Sequence, residues 1–267
     1  MRVLAVDADL IVFISRVWQT TCTAVRAGDE GFLIDSPVYP DELEALVGVL
    51  EQAGFPVSGL LATHADWDHL LGRLAFAEAS LGCGESTVAR LAAEPGRVQR
   101  ALRDFDEEHY VDGRRPLALA GIQSLPVPGR LSLGTAADRE LELHPADGHT
   151  ADGTAFHIPW LGVLVCGDYL SPVEIPVISE NGGSPHAYLA TLERLRPVVT
   201  AADTIVPGHG RPLERGEALD LLDEDVQYLH ALMENPAGAS LPTGRRTARQ
   251  RHIHGENIQR ASTLRQT

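Results

Sequence analysis

Short apolar runs and amphipathic stretches alternate along the chain, and their periods tell strands from helices. LIVFIS at 10–15, TCTAV at 21–25 and GFLIDS at 31–36 are brief, rich in β-branched or apolar residues and divided by turn residues, which predicts strands. YPDELEALVGVLEQA at 39–53 carries its apolar positions at helical spacing, and Gly54 follows as a stop. VSGLLAT at 57–63 reads as a buried strand and LLGRLAFAEA at 70–79 as a helix. From about 80 to 120 the pattern is weaker and predicts a strand near 86–89 with short helices. Strands resume at 122–127, 139–144, 153–159 and 162–168, then a helix at 184–197, a short strand at 203–208 and a long amphipathic helix at 214–233. Two sets of strands, each with its own helices, suggest two sheets packed face to face with helices outside. No solenoid repeat occurs and no linker divides the chain. Residues 1–240 are therefore read as one domain, with 241–267 as an Arg-rich tail or helix packed on it.

Composition narrows the function classes. Hydrophobic residues make up 44% of 267, enough for a sizeable core. Every basic residue is Arg, which excludes a catalytic or Schiff-base lysine. The net charge of −15 disfavours nucleic acid and anionic membrane surfaces as partners. The charge is uneven. From 244 onward six arginines (Arg245, Arg246, Arg249, Arg251, Arg260 and Arg265) face one acid, Glu256, so the tail carries about +5 and the rest about −20. A solvated helix docked on the acidic body is the expectation, with a clamp for an anionic substrate group as the alternative. Cys22, Cys83 and Cys166 form no CxxC pair, which fits reduced thiols in a cytoplasmic protein. The N-terminal apolar run is broken by Asp7 and Asp9 and lacks a secretory cleavage pattern, and no stretch reaches the ~18 apolar residues of a membrane span.

The candidate chemistry is concentrated in THADWDH at 63–69, where a predicted strand ends. In an extended loop, positions two apart project to one side, so His64 and Asp66 can share a target. Asp68 and His69, at the start of the next element, can turn toward a second target close by. Two imidazoles and two carboxylates are common first-row metal ligands. Without a cation, carboxylates converging in a cleft repel one another and take up protons. Three further loops sit at strand ends: His149 in ADGHTADG, Asp168 in CGDYL and His209 in PGHG.

Taken in order, LIDS with Asp35, THADWDH, GHT (148–150), GD (167–168) and PGHG (207–210) resemble the metallo-β-lactamase fold superfamily of metallohydrolases, over about residues 10 to 235. The resemblance implies an α/β, four-layer αββα sandwich of two mixed sheets flanked by helices. It implies two divalent metal ions, one held by His64, Asp66 and His149, the other by Asp68, His69 and His209, with Asp168 bridging them. Asp35 would orient a ligand histidine through its other ring nitrogen. Asp66 departs from the pattern, since the family usually has His there. Zinc is the first expectation for both ions, yet two histidines and a carboxylate also suit Fe or Mn at the first site.

The expected activity is a metal-dependent hydrolase using a metal-bound hydroxide to cleave a small ester, thioester or lactone, with Asp68 orienting the hydroxide or passing on its proton. Motif style is nearest to the hydroxyacylglutathione hydrolase group. A mononuclear Fe(II) oxygenase of the persulfide dioxygenase kind is a second reading, and a phosphodiesterase or nuclease a third, which the net charge disfavours. Trp67, Tyr169, Tyr188 and His254 are candidates to shape a substrate pocket. A small molecule is the expected partner, and a homodimer is left open.

Overall fold

A computed structural model describes residues 1–133 and 139–264; Arg265 lies outside the described residues. Two sheets form the centre. The first has seven strands in chain order: β1 (Arg2–Asp7), β2 (Leu10–Ile14), β3 (Thr21–Ala27), β4 (Glu30–Asp35), β5 (Gly59–Ala62), β6 (Ser80–Gly84) and β7 (Gln123–Leu125). It is antiparallel from β1 to β4 and parallel from β4 to β7. The second comprises β8 (Gly129–Ser132), β9 (Glu140–Pro145), β10 (Thr154–Ile158), β11 (Val163–Val165), β12 (Thr204–Val206) and β13 (Leu213–Glu214), in the reverse of chain order. Among the described residues, only β11 and β12 pair in parallel there.

Period-two patterning fixes the layers. On β2, Leu10, Val12 and Ile14 point into the core between the sheets, against Phe156, Ile158, Val163 and Val165. Ile11 and Phe13, on the opposite face, join a second core with Leu43, Leu46 and Leu50 of α1 (Pro40–Gln52) and Leu102 and Phe105 of α4 (Arg97–Glu108). Behind the other sheet, Leu164 packs with Leu192 and Leu195 of α5 (Pro185–Ala201), Leu222 and Leu229 of α6 (Arg215–Glu234) and Ile253 of α7 (Ala248–Leu264). The result is an αββα sandwich, the architecture expected from the two groups of strands. Helix starts follow local chemistry: α1 opens on Pro40, with Glu42 accepting the Tyr39 N–H at 3.2 Å, and α5 opens on Ser184 and Pro185.

The middle of the chain differs from the sequence expectation. Residues 86–89 lie inside α3 (Glu85–Ala93), the preceding strand is β6, and the helix expected at 70–79 is confined to α2 (Gly72–Ala75). β6 reads SLGCG, so two glycines replace the apolar alternation that marks a strand. Packing accounts for them: a Cβ on Gly84 would stand 2.4 Å from Thr154 Oγ1 of the facing sheet, and one on Gly82 3.1 Å from Leu125. β1, β8 and β13 were not expected as strands; all three pair at sheet edges, and β1 is exposed throughout. Among the described residues, no helix is long and apolar enough to cross a membrane.

Candidate metal centre

Asp35 ends β4, His64 and the short helical turn Trp67–His69 follow β5, Asp168 follows β11 and His209 follows β12. Because β4 runs parallel to β5 and β11 to β12, their carboxyl ends deliver these loops to one edge of the sandwich. His149 reaches the same place from the loop before β10.

All four histidines at this edge use Nδ1 for support. His64 Nδ1 lies 3.0 Å from Thr63 Oγ1, His69 Nδ1 3.0 Å from Asp35 Oδ2, His149 Nδ1 2.9 Å from the Val177 carbonyl and His209 Nδ1 3.2 Å from the Trp18 carbonyl. Their Nε2 atoms therefore face inward, around Asp168. Asp168 Oδ1 is 3.3 Å from His69 Nε2; Oδ2 is 3.2 Å from His149, 3.3 Å from His209 and 3.8 Å from His64. Asp66 Oδ2 stands 3.8 and 3.7 Å from His64 and His149, and Asp68 Oδ2 stands 3.7 Å from both His69 and His209. His64, Asp66 and His149 thus form one compact donor group and Asp68, His69 and His209 another, with Asp168 between them.

Whether this donor set suits cations is tested by its unpaired atoms. Nε2 of His64, His69 and His149 and Oδ1 of Asp168 are buried without a hydrogen-bond partner. Buried polar atoms are normally satisfied, and cations held by the two donor groups would satisfy these four. The donor set fits divalent metal. Backbone details protect it. Asp35 adopts φ 62°, a left-handed conformation that costs energy in a non-glycine residue, and its carboxylate also accepts from the Thr63 N–H at 2.8 Å. Gly208 has no room for a side chain, since a Cβ would stand 2.1 Å from Asp168 Oδ1.

The electrostatics are those of a strongly coupled acid–base cluster. Burial pulls the His149 and His209 imidazoles down, but Asp168 with Asp66 in the first case, and Asp168 with Glu174 in the second, raise both to about 9. Burial likewise opposes protonation of His69, yet Asp68, Asp35 and Asp168 hold it well above the usual value. His64 is lowered by burial and by the neighbouring His69. Burial pushes Asp66 up, but His149, His64 and Arg90 outweigh it and keep the carboxylate ionised.

Asp66, Asp68, His149, Asp168 and His209 line a cleft of about 470 Å³. Trp67 lines it, packed at 4.6 Å on Phe105 and edge-on to Trp18 at 5.7 Å. Tyr169, Tyr188 and His254 do not line it. The Tyr169 hydroxyl donates to the Asp147 carbonyl at 2.7 Å, the Tyr188 hydroxyl to the Asp168 carbonyl at 2.9 Å, and His254 Nδ1 meets the Tyr228 hydroxyl at 3.0 Å. Both tyrosines thus brace loops that carry donors. His144 on β9 and His157 on β10 lie apart from these donors, against Glu142.

Sequence reasoning missed four residues. Arg90 and Asn181 hold Asp66, Asp152 holds Arg90, and Glu174 is a buried carboxylate beside Asp168 and His209. Arg90, Asn181 and Glu174 belong to no local motif; ADGHTADG contains Asp152, but nothing there marks it as a partner of Arg90. From the tail, Arg249 reaches Glu174 at 2.5 Å and lies over the Trp18 ring at 5.0 Å, so α7 forms part of the cleft wall.

Comparison with known structures agrees with this fold. A metallo-beta-lactamase family protein from Thermus thermophilus is similar at TM-score 0.66 and 21% identity, over 88% of this chain and 85% of that one. TTHA1623 in a di-iron-bound form is similar at TM-score 0.60 and 22% identity, over 78% and 96%. The sec-alkyl sulfatase PisA1 is similar at TM-score 0.69 and 14% identity; the match spans 88% of this chain but 42% of the sulfatase. These likenesses establish the fold. The comparison with curated proteins returned no match. A family model described as the metallo-beta-lactamase superfamily matches residues 15–209, which contain every one of the clustered histidines and aspartates, and the chain belongs to that superfamily.

Proposed function

We propose that the protein is a metal-dependent hydrolase that cleaves a small ester, thioester or lactone. The observation that carries this reading is the convergence of inward-facing, unpaired imidazole nitrogens on Asp168, which lines an open cleft. His64, Asp66 and His149 would hold one divalent cation, Asp68, His69 and His209 the other, and Asp168 would bridge them. Such cations polarise a carbonyl oxygen and lower the pKa of water to about 7.

The rest is done by the chain. Asp68 lines the cleft with Oδ2 turned to His69 and His209, where it can accept a proton from the attacking water and return it to the leaving group. Asp35 and the Val177 carbonyl fix the tautomers of His69 and His149. Trp18 and Trp67 wall one side and limit substrate size. Cysteine nucleophiles are disfavoured: burial pushes the Cys83 thiol up to about 12 and raises Cys22 and Cys166 as well.

The test is plasma mass spectrometry of the purified protein and of Asp168→Ala, followed by a screen of small esters, thioesters and lactones. Two ions per chain, lost in Asp168→Ala, with turnover of one class, is the expected result. Absence of turnover in metal-replete protein across all three classes counts against the reading. One observation favours a second reading: His64, Asp66 and His149 make a two-histidine, one-carboxylate set, which suits non-haem Fe(II) oxygenases. A single iron per chain with oxygen uptake on a persulfide substrate would select it.

A further inference from the structure

Asp66 presents its two oxygens to different neighbours. Oδ2 faces His64 and His149 at 3.8 and 3.7 Å. Oδ1 accepts from Arg90 Nη2 at 2.5 Å and from Asn181 Nδ2 at 3.0 Å. Arg90 is itself held. Its Nη1 donates to Asp152 Oδ1 at 2.6 Å, and Asp152 is anchored by the Ala65 N–H and the Thr150 hydroxyl, each at 2.9 Å. The guanidinium, with its side chain 12% exposed, thus spans two carboxylates with the two arms of its fork.

This arrangement answers two problems that a carboxylate brings to a metal site. A free carboxylate can rotate to grip a cation with both oxygens, or swing away from its acidic neighbours. It also adds a negative charge where Asp68 and Asp168 already supply two. A donor pair on Oδ1 fixes the rotation, and a poorly screened cation next to it offsets the charge. We propose that Arg90 and Asn181 are positioning residues that hold Asp66 as a single-oxygen ligand of the His64/Asp66/His149 site. Asp66 and Arg90 are then one functional unit, and the pair makes the departure from histidine workable. The proposal rests on the reading that these three residues hold a cation.

The experiment is a Zn(II) titration of metal-free protein against a chromophoric chelator, with Co(II) absorption as a second readout of ligand geometry. It is run on wild type, Arg90→Met, Arg90→Lys and Asn181→Ala, and again in a His209→Ala background that weakens the second donor group by one ligand. Arg90→Met is expected to weaken the first site about 10–100-fold, the range for removing a partner of a metal ligand. Arg90→Lys is expected to recover only part of this, because an ammonium cannot span both carboxylates. Asn181→Ala should shift the Co(II) bands and cost less.

The decisive arm adds Asp66→His. A neutral imidazole has no second oxygen to hold, so Arg90→Met should then change affinity by no more than about twofold. Equal losses with Asp66 and with His at position 66 would overturn the proposal and make Arg90 a general support. Wild-type affinity and spectra in both Arg90→Met and Asn181→Ala would overturn it too. If melting of the metal-free protein shows that Arg90→Met does not fold, Asn181→Ala decides alone, and an unchanged first site there refutes the idea. Wild type that takes up no cation at all would sink the reading of the site, and the proposal with it; wild type that loads while the variants load identically sinks only the proposal.

Discussion

Arg245 offers the sharpest test of how the C-terminal segment is joined to the rest. It is 6% exposed and lies just before α7. Its Nη1 is 2.5 Å from Asp225 Oδ1 on α6, and Nη2 donates to the Ser171 carbonyl at 3.0 Å and to the Glu174 carbonyl. Ser171 in turn donates to the His209 carbonyl at 2.8 Å. One guanidinium therefore ties α6 and the tail to the loop behind the metal centre. Arg245→Met keeps the bulk but leaves Asp225, 1% exposed, as an uncompensated buried charge. Breaking a buried pair from one side costs about 3–5 kcal/mol. At roughly 2–4 °C per kcal/mol for a domain of this size, the melting temperature should fall by about 6–20 °C. The assay is thermal and urea unfolding of metal-free protein, followed by tryptophan fluorescence. Dependence on pH adds a signature. Burial pushes the Asp225 carboxyl up to about 6 against the pull of Arg245. A group raised in the folded state contributes stability that is present below its unfolded value, about 3.9, and lost as pH rises through the folded one. In Arg245→Met the opposing cation is gone, so the loss continues above pH 6. The gap between wild type and variant should thus be smallest near pH 4 to 5 and widen toward pH 8. Asp225→Leu combined with Arg245→Met removes both charges and should restore most of the stability. A cost below about 1 kcal/mol at pH 7.5 would place the pair among solvated ion pairs and refute the reasoning; a double variant as unstable as the single one would refute it as well.

Four further outcomes follow from the site. Gly208→Ala puts a methyl group onto Asp168 Oδ1 and should abolish binding of both ions, measured as metal content, while the metal-free fold still melts cooperatively. Gly148→Ala meets the Tyr188 backbone at 2.2 Å in a φ of +123° and should displace His149, costing first-site occupancy before second-site occupancy. His149 and His209, raised to about 9, must lose protons to bind metal, so loading at pH 7.5 in weak buffer should acidify the solution, and affinity should climb from pH 6 to 9. In metal-free protein the same shifts give stability that is present below about 6.5 and lost as pH rises through 9, so its melting temperature should fall across that window while loaded protein holds steady; a flat profile in both forms would contradict the assigned partners.

How much of this was legible in the sequence depended on where each residue's partner lies. Leu10, Val12 and Ile14 declared their strand because alternation is a local signal, and THADWDH declared a metal centre because the donors after one strand are neighbours in the chain. β6 did not declare itself, since Gly82 and Gly84 exist for close approach to Leu125 and Thr154, contacts that no window of sequence contains. The tail shows the same divide. Counting charge treated its arginines alike, yet Arg245 is buried on Asp225, Arg249 holds Glu174 and Arg260 caps the Ile178 carbonyl.

That asymmetry has a physical origin. A ligand must leave a strand end at a particular register, so its spacing to the next ligand is constrained and repeats as a motif. A residue that holds a ligand needs only to deliver a donor to the ligand's far side, and any element that passes nearby can supply it. Asp66 receives Arg90 from α3, 24 positions on, and Asn181 from a loop 115 positions on. The departure at Asp66 could be read in the chain as a doubt about the first metal; its remedy could be found only where the fold brings Arg90, Asn181 and Asp152 together.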